Sequence, residues 1–569
     1  MNIGRKTVFV LVPALCFVVS CLHIEDEDVA RTDLWTGPIA PSGETELMAA
    51  ASVLEGLPGG YAGDSVAGVG DVDGDGLDDL LIGDFIYRIP GEKPSPTSFF
   101  ANTDRGAAFL IYGRKEGLPT ESSLGDADAI FHGESIMDTA GEFVAKAGDV
   151  NGDGYADFLV TARRETNMEE NHPTDPNGDM MQIWRPNVPA KVYLYYGSKA
   201  RFSGTSSVAE APTRILVEER YRRLWTGEGI GDLNRDGFDD IAVVVHGLMD
   251  YPDDGLSQDG KVYVFFGKAD GLGRDIDSTE ADLIINPGLA PYSGQWMRSS
   301  TYVAAAGDVN GDGFDDLLVA EDHSRFERDE SSGIIEESYN VYLILGQAGL
   351  EGERSLDEIA AVHFRNGNSR GLGYSIASAG DVNNDGFDDL LIGDPMWNTP
   401  PDIHNLIQQD SVHVVLGGSR FAVDQSQTEP TLFDLAEADT VFVGSEAGDK
   451  CGHSLAGIGD IDGDGVDDIL VGLPGCGPYR GAAHVLYGNV TFGGEQLSLD
   501  MAGAILTGKS FLLEANTECF DMAGRSIDGA GDFNGDGYAD LIIGAPGFGN
   551  DEERGGRAYV VPGGPHVRK

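Results

Sequence analysis

A nine-residue phrase rich in aspartate occurs seven times along the 569-residue chain. The copies occupy residues 71–79, 149–157, 232–240, 308–316, 381–389, 460–468 and 532–540, here called loops 1 to 7. Carboxylate or amide side chains stand at positions 1, 3, 5 and 9 of every copy, and such oxygens are what calcium takes from a tight loop. Glycine at position 6 permits a positive φ angle where the chain turns back. The pattern predicts one calcium ion per loop, up to seven in all.

The predicted ligands occupy the same positions in each copy. Position 1 contributes Asp71, Asp149, Asp232, Asp308, Asp381, Asp460 and Asp532, and position 3 contributes Asp73, Asn151, Asn234, Asn310, Asn383, Asp462 and Asn534. Position 5 contributes Asp75, Asp153, Asp236, Asp312, Asp385, Asp464 and Asp536. Position 9 contributes Asp79, Asp157, Asp240, Asp316, Asp389, Asp468 and Asp540. The main-chain carbonyl of position 7 is expected to add one oxygen, from Leu77, Tyr155, Phe238, Phe314, Phe387, Val466 or Tyr538.

Position 8 complicates the choice of the last ligand, because it is also acidic in five copies. In loops 2 and 7 the residue there is Ala156 or Ala539, while position 9 keeps its aspartate. Comparison among the copies therefore assigns position 9 as the ligand.

Position 12 excludes two other kinds of calcium loop. An EF-hand, or the related dockerin loop, has a chelating acid at position 12 and flanking helices. Here position 12 is β-branched and apolar in every copy: Ile82, Val160, Val243, Val319, Ile392, Val471 and Ile543. The first aspartates stand 72 to 83 residues apart, which also excludes the nonapeptide repeats of β-helices. A hairpin loop that closes on calcium remains.

Each loop is flanked by the same succession of strand patterns. A small-residue segment precedes it, as at residues 374–380, and an aliphatic one follows, as at residues 317–319. An aromatic and β-branched segment comes next, as at residues 191–197, and then a shorter one, as at residues 504–508. The succession predicts four-stranded antiparallel sheets and an all-β fold, a seven-bladed β-propeller.

The two ends of the chain predict how the ring closes. The seventh repeat has a third strand at residues 557–561 and then no fourth. Residues 46–55 precede the first repeat and have strand character. We expect this segment to complete the last blade, which removes an exposed sheet edge. The propeller then spans residues 45–569.

The first twenty residues have the parts of a secretory signal. Arg5 and Lys6 precede a largely apolar run, residues 7–19, that is too short to span a bilayer comfortably. Residues 18–21 resemble a bacterial lipobox that ends at Cys21, which predicts lipidation there and a linker over residues 21–44. The alternative is an ordinary signal peptide that happens to contain Cys21. Either predicts an exported protein of the bacterial envelope, lipid-anchored to the outer membrane or secreted.

The net charge of the chain limits the classes of partner that we expect it to bind. The net charge of −57 argues against nucleic acid and anionic membrane surfaces, which are polyanions. We expect a monomeric propeller that touches the membrane only through a lipid anchor.

Cys451 and Cys476 flank the hairpin of the sixth repeat, so a disulfide between them is predicted. The alternative is three unpaired thiols, with Cys519 as the third.

These repeats resemble a known family. The phrase Gly-Asp-x-Asn-Gly-Asp-Gly-x-x-Asp-Leu-Leu-Ile-Gly, with residues 544–546 reading Gly-Ala-Pro, is similar to the FG-GAP repeat. That repeat builds the seven-bladed propeller of integrin alpha subunits and occurs in many bacterial exported proteins. The resemblance covers about residues 45–565 and implies calcium between the first two strands of a blade.

This chain departs from the family pattern at several places. Only some integrin blades carry calcium, whereas all seven loops here keep the ligand types. The third repeat has no Gly-Ala-Pro ending, and residues 86–103 and 163–189 are insertions. Integrin-like partner recognition is therefore not implied by the repeats.

Signatures of catalysis are poor. Residues 452–457 resemble a nucleophile elbow, but the glycine spacing is wrong and Ser454, like Ser65, belongs to the repeated first strand. The eleven histidines lack metal-binding spacing. We therefore expect no enzyme but a binding or adhesion module for protein or glycan ligands. The alternative is an exported enzyme, or an enzyme accessory, that acts on polysaccharide or phospholipid. The insertion at 163–189 is the best candidate for a contact loop, and the favoured alternative is a flexible surface loop without a partner.

Overall fold

The structure, a computed structural model, describes most of the repeat array. The described residues are 44–47, 51–91, 105–135, 138–163, 190–217, 222–247, 260–286, 296–326, 334–367, 369, 371–395, 410–422, 429–444, 450–474, 481–488, 495–499, 502–513, 517–547 and 555–565. All of them belong to one compact unit, Leu34–Lys569. The signal segment, the lipobox with Cys21, most of both insertions and Cys476 lie outside the described residues.

Each repeat forms one antiparallel sheet, and its strands come in a fixed order. The first strands are β3 (Ser65–Gly70), β8 (Ala140–Gly148), β13 (Arg222–Gly231), β18 (Trp296–Gly307), β23 (Ile376–Gly380), β28 (Ser454–Gly459) and β35 (Ser526–Gly531). The second strands are β4 (Asp79–Asp84), β9 (Asp157–Ala162), β14 (Asp240–Gly247), β19 (Asp316–Phe326), β24 (Asp389–Asp394), β29 (Asp468–Leu473) and β36 (Asp540–Ala545). The third strands are β5 (Ala107–Ile111), β10 (Ala190–Tyr195), β15 (Lys261–Phe265), β20 (Ile334–Ile344), β25 (Ser411–Val415), β30 (Ala482–Leu486) and β37 (Arg557–Val561). The fourth strands are β7 (Ala129–His132), β12 (Thr213–Val217), β17 (Leu283–Asn286), β22 (Ala360–Arg365), β27 (Thr440–Val443), β32 (Ala504–Thr507) and β2 (Ser52–Glu55).

A fifth, parallel strand corrects the expectation of four strands per blade. It is contributed by a segment that belongs to the following blade and pairs with the fourth strand of the preceding one. These strands are β11 (Gly204–Ser207), β16 (Asp275–Asp277), β21 (Gly352–Ser355), β26 (Thr431–Asp434), β31 (Glu495–Ser498), β1 (Glu44–Glu46) and β6 (Glu121–Ser123). They escape a sequence reading because they are three or four residues long and mostly polar. An additional hairpin, β33 (Ser510–Leu513) with β34 (Thr517–Phe520), precedes blade 7.

Short helical turns follow most fifth strands. They are Leu124–Asp126, Val208–Glu210, Ser278–Glu280, Leu356–Ile359 and Leu435–Glu437, and Ser419–Phe421 is a further one. A serine or aspartate at the end of the strand caps the turn, as where the Gly125 amide donates to Ser123 Oγ at 3.1 Å. This capping chemistry reverses the chain from the fifth strand into the fourth. Among the described residues, no helix is long and apolar enough to cross a membrane.

The predicted closure of the ring by the N-terminal segment is confirmed. β2 pairs antiparallel with β37, in register from Ser52 opposite Val560 to Glu55 opposite Arg557. The same segment begins with β1, which is the fifth strand of blade 6. Each first strand packs beside the first strand of the next blade, and β3 packs beside β35. The seven-bladed β-propeller is therefore closed.

The hydrophobic core is divided among the blade junctions. Seven buried clusters each combine residues from two neighbouring blades, including one that joins blade 7 to blade 1. Five of the second strands are buried along their whole length, as in Asp79–Asp84 and Asp468–Leu473. A strand that is covered on both faces has a continuous run of aliphatic residues, and this explains the aliphatic sequence that follows each loop.

Candidate metal loops

Loops 1 to 7 connect the first and second strands, and two positions in each take the left-handed backbone region. Glycine at position 6 has φ between 86° and 93° in all seven copies. Position 4 also has positive φ, including the two copies without glycine there, Arg235 at 57° and Asn384 at 56°. Both positions let the chain coil inward so that the side chains at positions 1, 3 and 5 converge.

Hydrogen bonds to the backbone hold these side chains in place. In every loop, the carboxylate of position 1 accepts the amides of positions 5 and 6, with distances of 3.1 and 2.8 Å in loop 1. The carboxylate of position 5 accepts the amide of position 7, at 3.0 Å in loop 1. A carboxylate has about four lone-pair sites on its two oxygens, so these bonds orient the groups without preventing coordination of a cation.

Position 9 is the most buried of the predicted ligands. Asp316 is fully buried; its carboxylate accepts the amide of Val309, at position 2, at 3.1 Å and that of Gly346, after the third strand, at 2.9 Å. The equivalent glycine amide is bound in all seven blades. Position 9 thus links the loop to the third strand.

Burial also raises the pKa of these carboxyl groups. The pKa is about 8 for Asp79, Asp240, Asp316 and Asp468, and about 7 for Asp157, Asp389 and Asp540, with loss of solvent as the main cause. A buried carboxylate that lacks a compensating charge prefers its neutral form, and a nearby cation reverses that preference. The electrostatics of position 9 therefore fit a bound cation.

The geometry of the other ligands fits a cation as well. In loop 1, oxygens of Asp71, Asp73 and Asp79 lie within 4.8 Å of one another, and in loop 6 those of Asp460, Asp462 and Asp464 do. These are the two loops with aspartate rather than asparagine at position 3. In loops 5 and 7, the side-chain oxygens of Asn383 and Asn534 are buried without a hydrogen-bond partner. An unsatisfied buried acceptor is costly, and a metal ion in the loop would satisfy it.

In loop 1, an arginine from blade 2 contacts two of the predicted ligands. The guanidinium of Arg201 forms ion pairs with Asp73 and Asp75, the latter at 2.5 Å, and stacks on the ring of Tyr112 at 4.7 Å. Arg201 is half exposed, and its contacts with two predicted ligands were not foreseen from the sequence. The positive charge of Arg201 therefore offsets part of the negative charge of loop 1.

Position 8, which the sequence left without a role, joins each loop to the one before it. Its amide donates to the carbonyl of position 1 in the preceding loop at all seven junctions, at 3.0 to 3.4 Å. Where position 8 is aspartate, its carboxylate also accepts the position-1 amide of the preceding loop. These bonds, here called acidic clasps, join Asp78 to Asp532, Asp239 to Asp149, Asp315 to Asp232, Asp388 to Asp308 and Asp467 to Asp381, at 2.6 to 3.0 Å.

The side chain at position 7 makes a further contact between loops. The ring of Phe387 lies over Gly311, at position 4 of the preceding loop, so closely that a Cβ there would be 2.6 Å from a ring carbon. Tyr155, Phe238 and Tyr538 cover Gly74, Gly152 and Gly463 in the same way. This packing explains glycine at position 4 of loops 1, 2, 4 and 6.

The remaining sequence predictions have separate outcomes. The Ser454 hydroxyl donates to the Gly524 carbonyl of the next blade at 2.8 Å, and the Ser65 hydroxyl accepts the Val144 amide at 3.0 Å, so both serines hold blades together. Cys451 is fully buried. Its predicted disulfide with Cys476 and the lipidation of Cys21 stay predictions.

Comparison with known proteins agrees with this geometry. The family model described as FG-GAP repeat matches residues 140–178, 300–334, 372–405 and 523–561, which contain the first hairpins of blades 2, 4, 5 and 7. Blades 1, 3 and 6 share the same strand order and the same loop hydrogen bonds. The chain therefore contains FG-GAP repeats in at least blades 2, 4, 5 and 7. It resembles the N-terminal propeller of integrin alpha subunits.

Several relatives match parts of this propeller. Integrin alpha-5 of Xenopus laevis is 34% identical over 182 residues, 32% of this chain and 15% of the relative. Integrin alpha-V of Gallus gallus is 26% identical over 358 residues, 62% of this chain and 29% of the relative. Phosphatidylinositol-glycan-specific phospholipase D of Homo sapiens is 28% identical over 180 residues, 31% of this chain and 18% of the relative. The chain spans only 15% to 18% of the length of the first integrin relatives it matches.

Among solved structures, an alpha-L-arabinofuranosidase, Arb93A of Fusarium graminearum, aligns over 80% of this chain and 96% of its own. The TM-score is 0.35 and the identity 9%. A similarity of this size supports no conclusion about function.

Proposed function

We propose that this chain is a calcium-stabilised binding module on the cell surface, which recognises a protein or glycan ligand through the face opposite the metal loops. The observation that carries the proposal is the contrast between the two faces. The connection between first and second strands is eight residues long in every blade, as at residues 71–78. The connection between second and third strands varies from residues 327–333 in blade 4 to 163–189 in blade 2. Uniform loops suit a structural metal, whereas variable loops on a rigid scaffold suit recognition.

The face opposite loops 1 to 7 is here called the variable face. In the part of it that the structure describes, aromatic side chains in or just before the first strands form a chain of ring contacts, here called the aromatic arc. Ring centroids in this aromatic arc are 5.0 Å apart for Phe143 and Trp225, 6.0 Å for Trp225 and Tyr302, 5.8 Å for Tyr302 and Tyr374, and 5.2 Å for Tyr374 and His453. The four aromatic residues that precede His453 are only partly buried. Aromatic groups with one polar end are favoured at protein interfaces and stack on sugar rings. The arc supports ligand binding at this face.

The test is a pull-down and glycan-array screen with the mature protein in calcium and in chelator. We expect a ligand that binds in calcium, binds more weakly in chelator and is lost in Trp225→Ala. The matched control is Leu432→Ala, which removes a side chain 63% exposed on the outer edge of blade 4. A ligand retained by Trp225→Ala would place recognition elsewhere, and the absence of any ligand would contradict the proposed role.

The second candidate function is an enzyme or enzyme accessory. The observation in its favour is the relative named as a phospholipase D, which matches less than a third of this chain. A panel of phospholipase, glycoside hydrolase and lyase substrates tests it. Turnover abolished by a point substitution outside loops 1 to 7 would favour the enzyme over the binding module.

Anchoring to the envelope is tested separately. If Cys21 is lipidated, the wild-type protein should partition into the membrane fraction, and Cys21→Ser should not. Equal partitioning of the two would restrict the proposal to a secreted module.

A further inference from the structure

We propose that the acidic clasps couple calcium binding between neighbouring loops, with the aspartate at position 8 acting as a positioning residue for the first ligand of the preceding loop. This inference rests on the proposed binding of calcium. It concerns residues that are not themselves assigned as ligands.

The first step of the argument is the place of position 8 in its own loop. It lies between position 7, whose carbonyl is an expected ligand, and position 9, whose carboxylate is another. Asp467, for example, stands between Val466 and Asp468, and Asp468 is bound by the amides of Ile461 and Gly488. A metal ion that fixes positions 7 and 9 therefore restricts the backbone of position 8 as well.

The second step is what position 8 holds in the preceding loop. Asp467 Oδ2 accepts the amide of Asp381 at 3.0 Å, and the Asp467 amide donates to the Asp381 carbonyl at 3.4 Å. Both backbone groups of Asp381 are thus engaged by the next loop, and its side chain is the first ligand of loop 5. Order imposed on loop 6 by calcium reduces the entropy that loop 5 loses when it binds its own ion.

Two junctions lack the clasp because position 8 is alanine. Ala156 and Ala539 keep only the backbone bond to position 1 of the preceding loop, at 3.0 and 3.3 Å. The ring of loops is therefore divided into two arcs, one of loops 2 to 6 and one of loops 7 and 1. Coupling is expected within an arc and not across Ala156 or Ala539.

Loop 6 offers the most discriminating test, since it has a clasped neighbour on one side and an unclasped neighbour on the other. Asp464→Ala removes the position-5 ligand of loop 6. Amide hydrogen exchange with peptide-resolved mass spectrometry, recorded across a calcium titration, gives a separate calcium midpoint for each loop. We expect the midpoint of loop 5 to rise about fivefold, the lower end of typical coupling between sites, and that of loop 7 to change less than about twofold.

The clasp itself is then varied. In Asp467→Ala, the loop 5 midpoint should rise and should no longer respond to Asp464→Ala. Asp467→Asn keeps an oxygen that can accept the Asp381 amide, so the response should persist and show that the hydrogen bond, rather than the charge, carries the coupling. Protection of loops 2 to 4 in saturating calcium verifies that each variant is folded.

The outcomes separate this inference from the proposed function. Calcium-dependent protection in all loops, with loops 5 and 7 responding equally or not at all to Asp464→Ala, would overturn the coupling and leave calcium binding intact. Calcium-independent protection in every loop would refute calcium binding, and the coupling with it.

Discussion

In the five loops where positions 8 and 9 are both acidic, the two carboxylates face different partners. Asp316 turns inward to its own blade, where it accepts the amides of Val309 and Gly346, while Asp315 turns to Asp232 of the preceding loop. One residue along a strand reverses the side-chain direction, so neighbouring carboxylates cannot both enter the same loop. The carboxylate of position 8 therefore does not point into its own loop. This agrees with position 9 as the predicted ligand and with alanine at position 8 in loops 2 and 7.

Replacing the buried carboxylate of position 9 tests its role in the fold. Asp316→Ala should lower the free energy of unfolding by roughly 2–4 kcal/mol in chelator, since two buried amides lose their acceptor. Asp316→Asn should be less harmful because its amide oxygen still accepts one bond. Urea unfolding in chelator measures both, with the exposed Asp270→Ala as control. A change below about 0.5 kcal/mol for Asp316→Ala would contradict the structural role.

Arg201 leads to a second prediction at this scale. Its guanidinium competes with a metal ion for Asp73 and Asp75, so Arg201→Met should lower the calcium midpoint of loop 1 by about two- to fivefold, the range of an exposed ion pair. Hydrogen exchange in the loop 1 peptide reports the midpoint. Arg420→Met is the matched control, because that arginine pairs with Asp439, outside loops 1 to 7. A higher calcium midpoint for loop 1 in Arg201→Met would contradict this prediction and mean that the arginine assists binding.

At the scale of elements, the sequence predicted the strands that bury aliphatic or aromatic side chains and missed those that do not. Strands such as Asp468–Leu473 are buried along their length, and their composition shows it. The fifth strands, such as Glu121–Ser123, are mostly polar and pair in parallel with a strand of another blade. Their position depends on which blades become neighbours, which no local pattern records. The clasp of position 8 was missed for the same reason.

The N-terminal strands give the prediction that belongs to this scale. Removal of residues 1–56 deletes β1 and β2 and with them the buried side chains of Leu47, Val53 and Leu54. At about 1.5–3 kcal/mol for each buried side chain, the loss should be about 5 kcal/mol or more. Removal of residues 1–43 keeps both strands and is the control. Urea unfolding of the two truncated proteins compares them, and equal stability would show that β2 does not close the ring.

At the scale of the whole molecule, the loops form one ring and carry much of the charge. The net charge is −57, and the seven loops place carboxylates side by side at every blade junction. Without cations these groups repel one another, and burial, with a smaller contribution from the neighbouring carboxylates, raises the pKa of position 9 to about 7 to 8. Calcium bound in the loops would relieve this repulsion and tie each first hairpin to its third strand.

The thermal melt in calcium and in chelator tests this account most directly. Sites of extracellular modules have dissociation constants of roughly 10⁻⁴–10⁻³ M, so calcium at ten times that value contributes about 1.4 kcal/mol per site and roughly 10 kcal/mol over seven sites. The melting temperature should fall by more than about 10 °C in chelator and recover when calcium is restored. An unchanged melting temperature in chelator would contradict the claim that calcium holds this propeller together.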